Sequence, residues 1–137
     1  MYLLDTNVVS ELRRVRPHGA VLAWLKRVEE RDLHVSAVTI GEIQSGVEIT
    51  REQDQAKASA IEAWLDEVAE TYNVLTMDAR TFRVWARLMH RRTDHLIEDA
   101  MIAATAAVHH LTVVTRNVRD FERFGVLTLN PFGKKAG

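Results

Sequence analysis

The sequence predicts an α/β fold in which helices cover a central, mostly parallel sheet. Two observations predict it. Five short runs of apolar or β-branched residues are spread along the chain, and segments with the apolar spacing of helices separate them. Parallel strands need long crossover connections of this kind. The length of 137 residues is typical of one domain with one substantial core.

The predicted strands are short, and three helical segments between them have clear apolar faces. The strands are "YLL" at 2–4, "LHVS" at 33–36, "NVL" at 73–75, "LTVVT" at 111–115 and "VLTL" at 126–129. The faces, each predicted to pack on the core, are Val21, Leu22, Trp24, Leu25 and Val28; Ala56, Ala60, Ile61, Trp64, Leu65 and Val68; and Phe82, Trp85, Leu88 and Met89. With no linker in view, we predict a single domain over 1–132 and a flexible tail, "GKKAG", at 133–137.

Composition narrows the functional classes. The chain has no cysteine, which excludes disulfides and thiolate metal ligands. It has no long apolar run, and "MYLLDTN" places an acid where a cleavable leader would stay apolar, so we expect a cytoplasmic protein with no membrane span. A net charge of −1, from 18 basic and 19 acidic side chains, argues against nucleic-acid binding by bulk electrostatics.

Four acids occupy positions that favour a shared site. Asp5 ends the first strand, Glu42 lies in the helix after the second, Asp99 begins an alanine-rich helix and Asp120 follows "TVVT". Ligands bind outside the carboxyl ends of parallel strands, so we expect these acids to meet there. Taken singly, each has a structural explanation as a helix cap, a capping box (Thr39 with Glu42) or a partner of a helix dipole.

Convergence of several carboxylates favours a bound cation. Their mutual repulsion must be relieved by protonation or by a cation, and ligation by oxygen alone suits Mg²⁺ or Mn²⁺. Zinc is not expected, because His109 and His110 point to different sides of a helix and His90 and His95 lack the usual ligand spacing. A phosphatase of the haloacid dehalogenase type would need a second acid two residues after Asp5, where the chain has Asn7.

Three stretches carry a family resemblance over nearly the whole chain. "LLDTNVVSEL", "SAVTIGEIQSGV" and "EDAMIAATAAVHHLTVVTRNVRDFERFGVLTLNPF" resemble the PIN-domain ribonucleases, in particular the VapC and FitB-like toxins of bacterial toxin–antitoxin pairs. The resemblance implies a three-layer α/β/α sandwich. It also implies that the catalytic and metal-binding acids are Asp5, Glu42, Asp99 and Asp120, with Thr6, Asn7, Thr115 and Asn117 beside them. Glu98 and Arg116, which are neighbours of these residues in the sequence, are further candidates for the surroundings of the site.

Three of these assignments remain open at the level of sequence. In the family the last acid comes from either of two positions, and the earlier one here is Asn117, so either Asn117 or Asp120 completes the site. Glu98 is an extra carboxylate where many relatives carry small residues, which suggests an outer position around the metal. Arg116 is either a phosphate contact or an ion-pair partner of the acids.

The resemblance further implies an activity and its partners. The activity is endoribonuclease cleavage with Mg²⁺, or Mn²⁺ in its place, which leaves 5′-phosphate and 3′-hydroxyl ends. The partners are RNA, a VapB-like antitoxin gripped by segments 45–50 and 55–68, and a second copy in a homodimer within a toxin–antitoxin hetero-oligomer. Operator DNA is expected to be bound only through the antitoxin. The alternative is a non-catalytic PIN-like subunit that binds a partner or RNA.

Overall fold

The fold is a five-stranded parallel sheet, seen in a computed structural model that describes residues 1–133. The strands are β1 (Tyr2–Leu4), β2 (Leu33–Ser36), β3 (Asn73–Leu75), β4 (Thr112–Val114) and β5 (Thr128–Leu129). Their order is β3-β2-β1-β4-β5, and every pairing is parallel. The predicted α/β class and all five strands are confirmed, although β5 begins two residues later than expected.

Seven helices and two short 3₁₀ turns surround this sheet within residues 1–133. The helices are α1 (Thr6–Glu11), α2 (Gly19–Arg27), α3 (Ala37–Arg51), α4 (Gln55–Thr71), α5 (Ala79–Met89), α6 (Ile97–His109) and α7 (Val118–Glu122), with 3₁₀ turns at Glu30–Asp32 and Asp94–Leu96. Ser36 caps α3 through its hydroxyl. Thr39 therefore lies inside α3, and the capping-box explanation for Thr39 and Glu42 is wrong.

Two apolar clusters fill the space on the two faces of the sheet. Leu3 of β1 packs with Ala103 and Phe121 from α6 and α7. The next residue, Leu4, packs with Val8 and Val21 from α1 and α2. This alternation follows from the two-residue repeat of a strand. It produces the three-layer arrangement and buries the central strand β1 on both sides.

The predicted helix faces are only partly correct. Val21, Trp24, Leu65 and Val68 are buried, but Ala56 and Ala60 are exposed and Phe82 is 45% exposed. On α4 the buried line runs through Ala58, Leu65 and Val68. At 3.6 residues per turn, Ala56 and Ala60 lie on the side of the helix opposite Ala58.

Two further predictions concern a membrane span and the C-terminal tail. No helix within residues 1–133 is long and apolar enough to cross a bilayer. Of the predicted flexible tail, residues 134–137 lie outside the part of the chain that the structure describes.

Candidate active site

Asp5 stands at the carboxyl end of the central strand, where backbone bonds from two elements fix it. Its N–H donates to the carbonyl of Val114 at 2.9 Å, which extends the pairing of β1 with β4 by one residue. Its carbonyl accepts from the N–H groups of Val8 and Val9 in α1 at 3.0 and 3.1 Å. The residue is 5% exposed. A buried strand therefore holds this carboxylate rigidly at the edge of the sheet.

Three donors surround the carboxylate of Asp5. Its Oδ1 accepts from the N–H of Thr6 at 2.8 Å, while its Oδ2 accepts from the Thr115 hydroxyl at 2.8 Å and from Asn7 Nδ2 at 3.2 Å. Thr115 follows β4, and its hydroxyl oxygen accepts from the N–H of Asn117 at 2.9 Å. These bonds join the loop after β4 to the first acid.

Glu42 lies on α3, and hydrogen bonds that involve two threonines connect it to the same edge of the sheet. The Thr6 hydroxyl donates to Glu42 Oε1 at 3.1 Å and lies 3.0 Å from the Thr39 hydroxyl. Because Thr6 has one hydroxyl proton, the bond to Glu42 makes Thr39 the donor to Thr6. Thr39 is fully buried. Sequence reasoning did not assign Thr39 to the site, although its three-residue spacing from Glu42 places both on one helix face.

Asp99 lies in the first turn of α6, next to Glu98. Burial raises the pKa of Asp99 to about 6, and the charges of Asp5, Asp120 and Glu98 add to this rise, against the opposing charge of Arg123. Partly buried carboxylates with perturbed pKa values are typical of functional sites. The chain thus places Asp99 where its ionisation is opposed by other acids.

The pKa values of Asp5 and Glu42 are also raised. Burial is the main cause for Asp5, and it outweighs the bonds from Thr115 and Thr6 while the charge of Asp120 adds to it. Burial is again the main cause for Glu42, with contributions from Asp5, Glu98 and Asp99. The four predicted acids and Glu98 therefore lie close enough for their charges to act on one another. The structure brings them together from β1, α3, α6 and α7.

The fourth segment, around α7, carries Asp120 and three arginines, of which Arg116 and Arg123 have described contacts. Arg123 Nη2 lies 3.5 Å from Asp120 Oδ1, a contact that sequence reasoning did not assign although it has the i, i+3 spacing of a helical ion pair. The Arg116 guanidinium lies 4.1 Å above the ring of Phe132. None of the five ion pairs within residues 1–133 involves Arg116. Of its two predicted roles, ion pairing with the acids is not seen.

The donor set fits a divalent cation by its chemistry. All the converging side chains offer oxygen, which suits Mg²⁺ or Mn²⁺, and a cation would remove the repulsion that raises their pKa values. Within residues 1–133, however, no three carboxylate or imidazole groups lie close enough as they stand to hold one ion. Ligation would therefore require some of these carboxylates to rotate toward Asp5, whose own orientation is held by its hydrogen bonds.

Comparison with known proteins finds relatives over nearly the whole chain. The chain is 32% identical to Toxin FitB of Neisseria gonorrhoeae, over 96% of this chain and 99% of the relative. It is 33% identical to VapC ribonuclease Y4jK of Sinorhizobium fredii, over 96% and 98% of the two chains. The crystal structure of FitAcB from Neisseria gonorrhoeae matches with a TM-score of 0.85 at 32% identity, over 96% of this chain and 99% of that one.

The family itself is shown by a match over most of the chain. The PIN domain model matches residues 2–127. This range includes all of the converging acids and the strands β1 to β4, and it ends just before β5. The chain therefore belongs to the PIN domain family.

Proposed function

We propose that the chain is a metal-dependent endoribonuclease, the toxin of a toxin–antitoxin pair. The observation that carries this proposal is the set of mutually repelling carboxylates at the carboxyl edge of the sheet. The names of its relatives, a toxin and a VapC ribonuclease, support it. A cytoplasmic location, beside an RNA substrate, forms part of the same proposal.

Four acids would hold the cation: Asp5, Glu42, Asp99 and Asp120. When bound, Mg²⁺ or Mn²⁺ lowers the pKa of a water and stabilises negative charge on phosphate oxygens. Asp120 is the better candidate for the fourth position, because its charge acts on both Asp5 and Asp99. Asn117 instead donates its N–H to Thr115, which makes it a support for the first acid.

The other residues of the site orient the acids and the substrate. Thr115 and Asn7 fix the rotation of the Asp5 carboxylate, and Thr6 does the same for Glu42. Arg116 is anchored next to them, because its N–H donates to Asn7 Oδ1 at 3.3 Å. With its guanidinium on the face of Phe132, the N–H edges of Arg116 are available for a phosphate.

The reaction is hydrolysis of an RNA phosphodiester without a covalent enzyme intermediate. The oxygen of water bonds to phosphorus, the bond from phosphorus to the 3′ oxygen breaks, and the 3′ oxygen takes a proton. The products carry a 5′-phosphate and a 3′-hydroxyl. The chain's part is to place the phosphate beside the acids and to hold the carboxylates of Asp5 and Glu42 in fixed orientations.

The antitoxin would lie in a groove between α1, α3 and α4. Two adjoining cavities form it, of about 310 Å³ and 350 Å³, and both are lined by Arg13 and Ile61. The first also contains Thr6 and Glu42, and the second contains Trp64. The second cavity is mainly apolar, whereas the first is more polar and leads to the acids. A groove with both characters suits an amphipathic helix. We further propose a homodimer within the toxin–antitoxin assembly, with operator DNA bound only through the antitoxin.

Cleavage of a mixed RNA panel tests the proposed activity. The wild type, Asp99→Asn and the control Asp66→Asn, an exposed carboxylate on α4, are purified identically and assayed with EDTA, Mg²⁺ or Mn²⁺. We expect metal-dependent cutting by the wild type and the control, and at least a 100-fold loss in Asp99→Asn. Equal cutting by all three proteins would point to a contaminating nuclease. If neither the wild type nor the control cuts RNA and the wild type binds no Mn²⁺, the non-catalytic PIN-like subunit is favoured.

A further inference from the structure

A cavity between α3 and α6 adjoins the acid site and has no role in the proposed hydrolysis. Its volume is about 550 Å³, and its lining residues are Val38, Gly41, Glu42, Ser45, Glu98 and Met101. Glu42 belongs both to this cavity and to the acid site. A group attached to a phosphate at the acids can therefore enter the cavity.

The cavity is open and has an apolar residue on each of its two helices. Val38 and Met101 contribute partly buried apolar surface from the two helices. Gly41 lies between Val38 and Glu42 on α3, and nothing stands within 4 Å of the position that its Cβ would occupy. The absence of a side chain there leaves open space along the helix surface. Unstacked RNA bases bind in such places, against apolar or aromatic surface.

The polar lining offers hydrogen-bond acceptors and no cation. Neither lysine nor arginine lines the cavity, and none of the five ion pairs within residues 1–133 involves Glu98. The charge of Glu98 raises the pKa of Glu42, which places the two carboxylates in one space. A carboxylate accepts hydrogen bonds at two oxygens. The cavity therefore favours a ligand edge with two adjacent donors.

We propose that this cavity is a subsite for a guanine base next to the scissile phosphodiester, with Glu98 as the residue that reads it. Guanine is the RNA base with two adjacent donors, N1–H and N2–H₂, on its Watson–Crick edge, and these match the two oxygens of Glu98. The Ser45 hydroxyl can contact the same edge. The inference rests on the proposed ribonuclease activity and adds the base that this site selects.

Cleavage of a random-sequence RNA pool in Mg²⁺, with sequencing of the cut ends, measures the base preference. The proteins are the wild type, Glu98→Gln and the control Glu70→Gln, an exposed acid at the end of α4. We expect guanine enrichment at one position beside the cut in the wild type and in Glu70→Gln. In Glu98→Gln that enrichment falls roughly fivefold to 100-fold, the usual range for a lost bidentate base contact.

Nucleotide binding tests the subsite without cleavage. Titration calorimetry with the four ribonucleoside 5′-monophosphates, in Mg²⁺, compares the wild type with Glu98→Gln. We expect guanosine monophosphate to bind about tenfold more tightly than the others to the wild type, and no such difference in Glu98→Gln. If the wild type cuts no RNA but shows this difference, the ribonuclease proposal fails and the subsite stands.

Two results would overturn the guanine subsite. One is an unchanged base preference, in cutting and in nucleotide binding, when Glu98 is replaced by Gln. The other is a loss of Mn²⁺ affinity in Glu98→Gln with base preference intact, since that would make Glu98 a group around the metal.

Discussion

The two ends of α1 each present a buried acid, and the two acids differ in their surroundings. Asp5 is 5% exposed and Glu11 is 6% exposed. Glu11 Oε1 accepts from the N–H of His18 at 2.7 Å, and its Oε2 lies 3.6 Å from Arg14 Nε. Asp5 also accepts hydrogen bonds, but it faces the charge of another acid and its pKa is raised.

The difference shows that burial alone does not identify a functional acid. Glu11 joins α1 to the start of α2, and a cation lies near its carboxylate, so its charge is compensated within the fold. At the other end of α1, Asp5, Glu42 and Asp99 oppose one another's ionisation. Unrelieved repulsion among acids costs stability, and a bound cation is the simplest way to remove it.

The largest of the expected effects is on metal affinity, at Thr115. Thr115→Val keeps the shape of the side chain but removes the hydroxyl that donates to Asp5 Oδ2. We expect Mn²⁺ affinity to fall about 10-fold to 100-fold, as for other residues that orient metal ligands. Titration calorimetry measures it, with Thr71→Val at the exposed end of α4 as the control. Wild-type affinity in Thr115→Val would mean that the orientation of Asp5 does not matter.

A change at the other end of α1 is expected to affect stability and leave the chemistry intact. Glu11→Ala removes the acceptor of the His18 N–H, so the free energy of unfolding should fall by about 2 kcal/mol. Urea unfolding measures this fall, and RNA cleavage per folded molecule should stay within about twofold of the wild type. A 100-fold loss of cleavage in folded Glu11→Ala would end the contrast between the two acids.

The smallest effect is expected at Arg116. Arg116→Ala removes a guanidinium that has a phosphate, rather than an acid, as its proposed partner. We expect KM for RNA to rise a few-fold, with kcat nearly unchanged and a weaker dependence of KM on salt. Steady-state cleavage at several salt concentrations measures both constants. A fall in kcat at constant KM would instead assign Arg116 to the transition state.

Much of the fold and the placement of the acids could be predicted from the sequence. The run "YLL" is too short and too apolar for a surface helix, and Asp5 follows it directly, so the carboxyl end of a buried strand was its natural place. The contact between Thr6 and Thr39 could not be predicted, because it joins residues 33 apart and depends on how α3 packs beside α1. The same holds for the Glu98 cavity, which needs the relative position of α3 and α6.

The predicted face of α4 is wrong at Ala56 and Ala60, for a related reason. Apolar spacing marks which residues can be buried, but the packing of α4 decides which line along the helix is covered. Ala58 is fully buried because it lies in line with Leu65 and Val68, whereas Ala56 and Ala60 lie on the opposite side of the helix from Ala58 and are exposed. Small residues fit either environment, so residue type alone does not separate the three alanines.

The central claim is that the acids repel one another when no cation is bound. The most direct test is thermal unfolding of the wild type and Asp99→Asn from pH 4 to pH 8, in EDTA and in Mn²⁺. Asp99 has a pKa of about 6 in the folded protein against an ordinary value of 3.8. Its protonation favours the fold at low pH, and this contribution is lost as the pH rises through about 6.

In EDTA at pH 7.5, the free energy of unfolding of Asp99→Asn should therefore exceed that of the wild type by about 1 kcal/mol, and its Tm should be roughly 3 °C higher. These figures allow for solvent screening, because Asp99 is partly exposed. The difference should vanish near pH 4. Mn²⁺ should raise the Tm of the wild type at pH 7.5 and have much less effect on the variant. A variant that is less stable than the wild type at pH 7.5 in EDTA, with no Mn²⁺ stabilisation of either protein, would contradict the account.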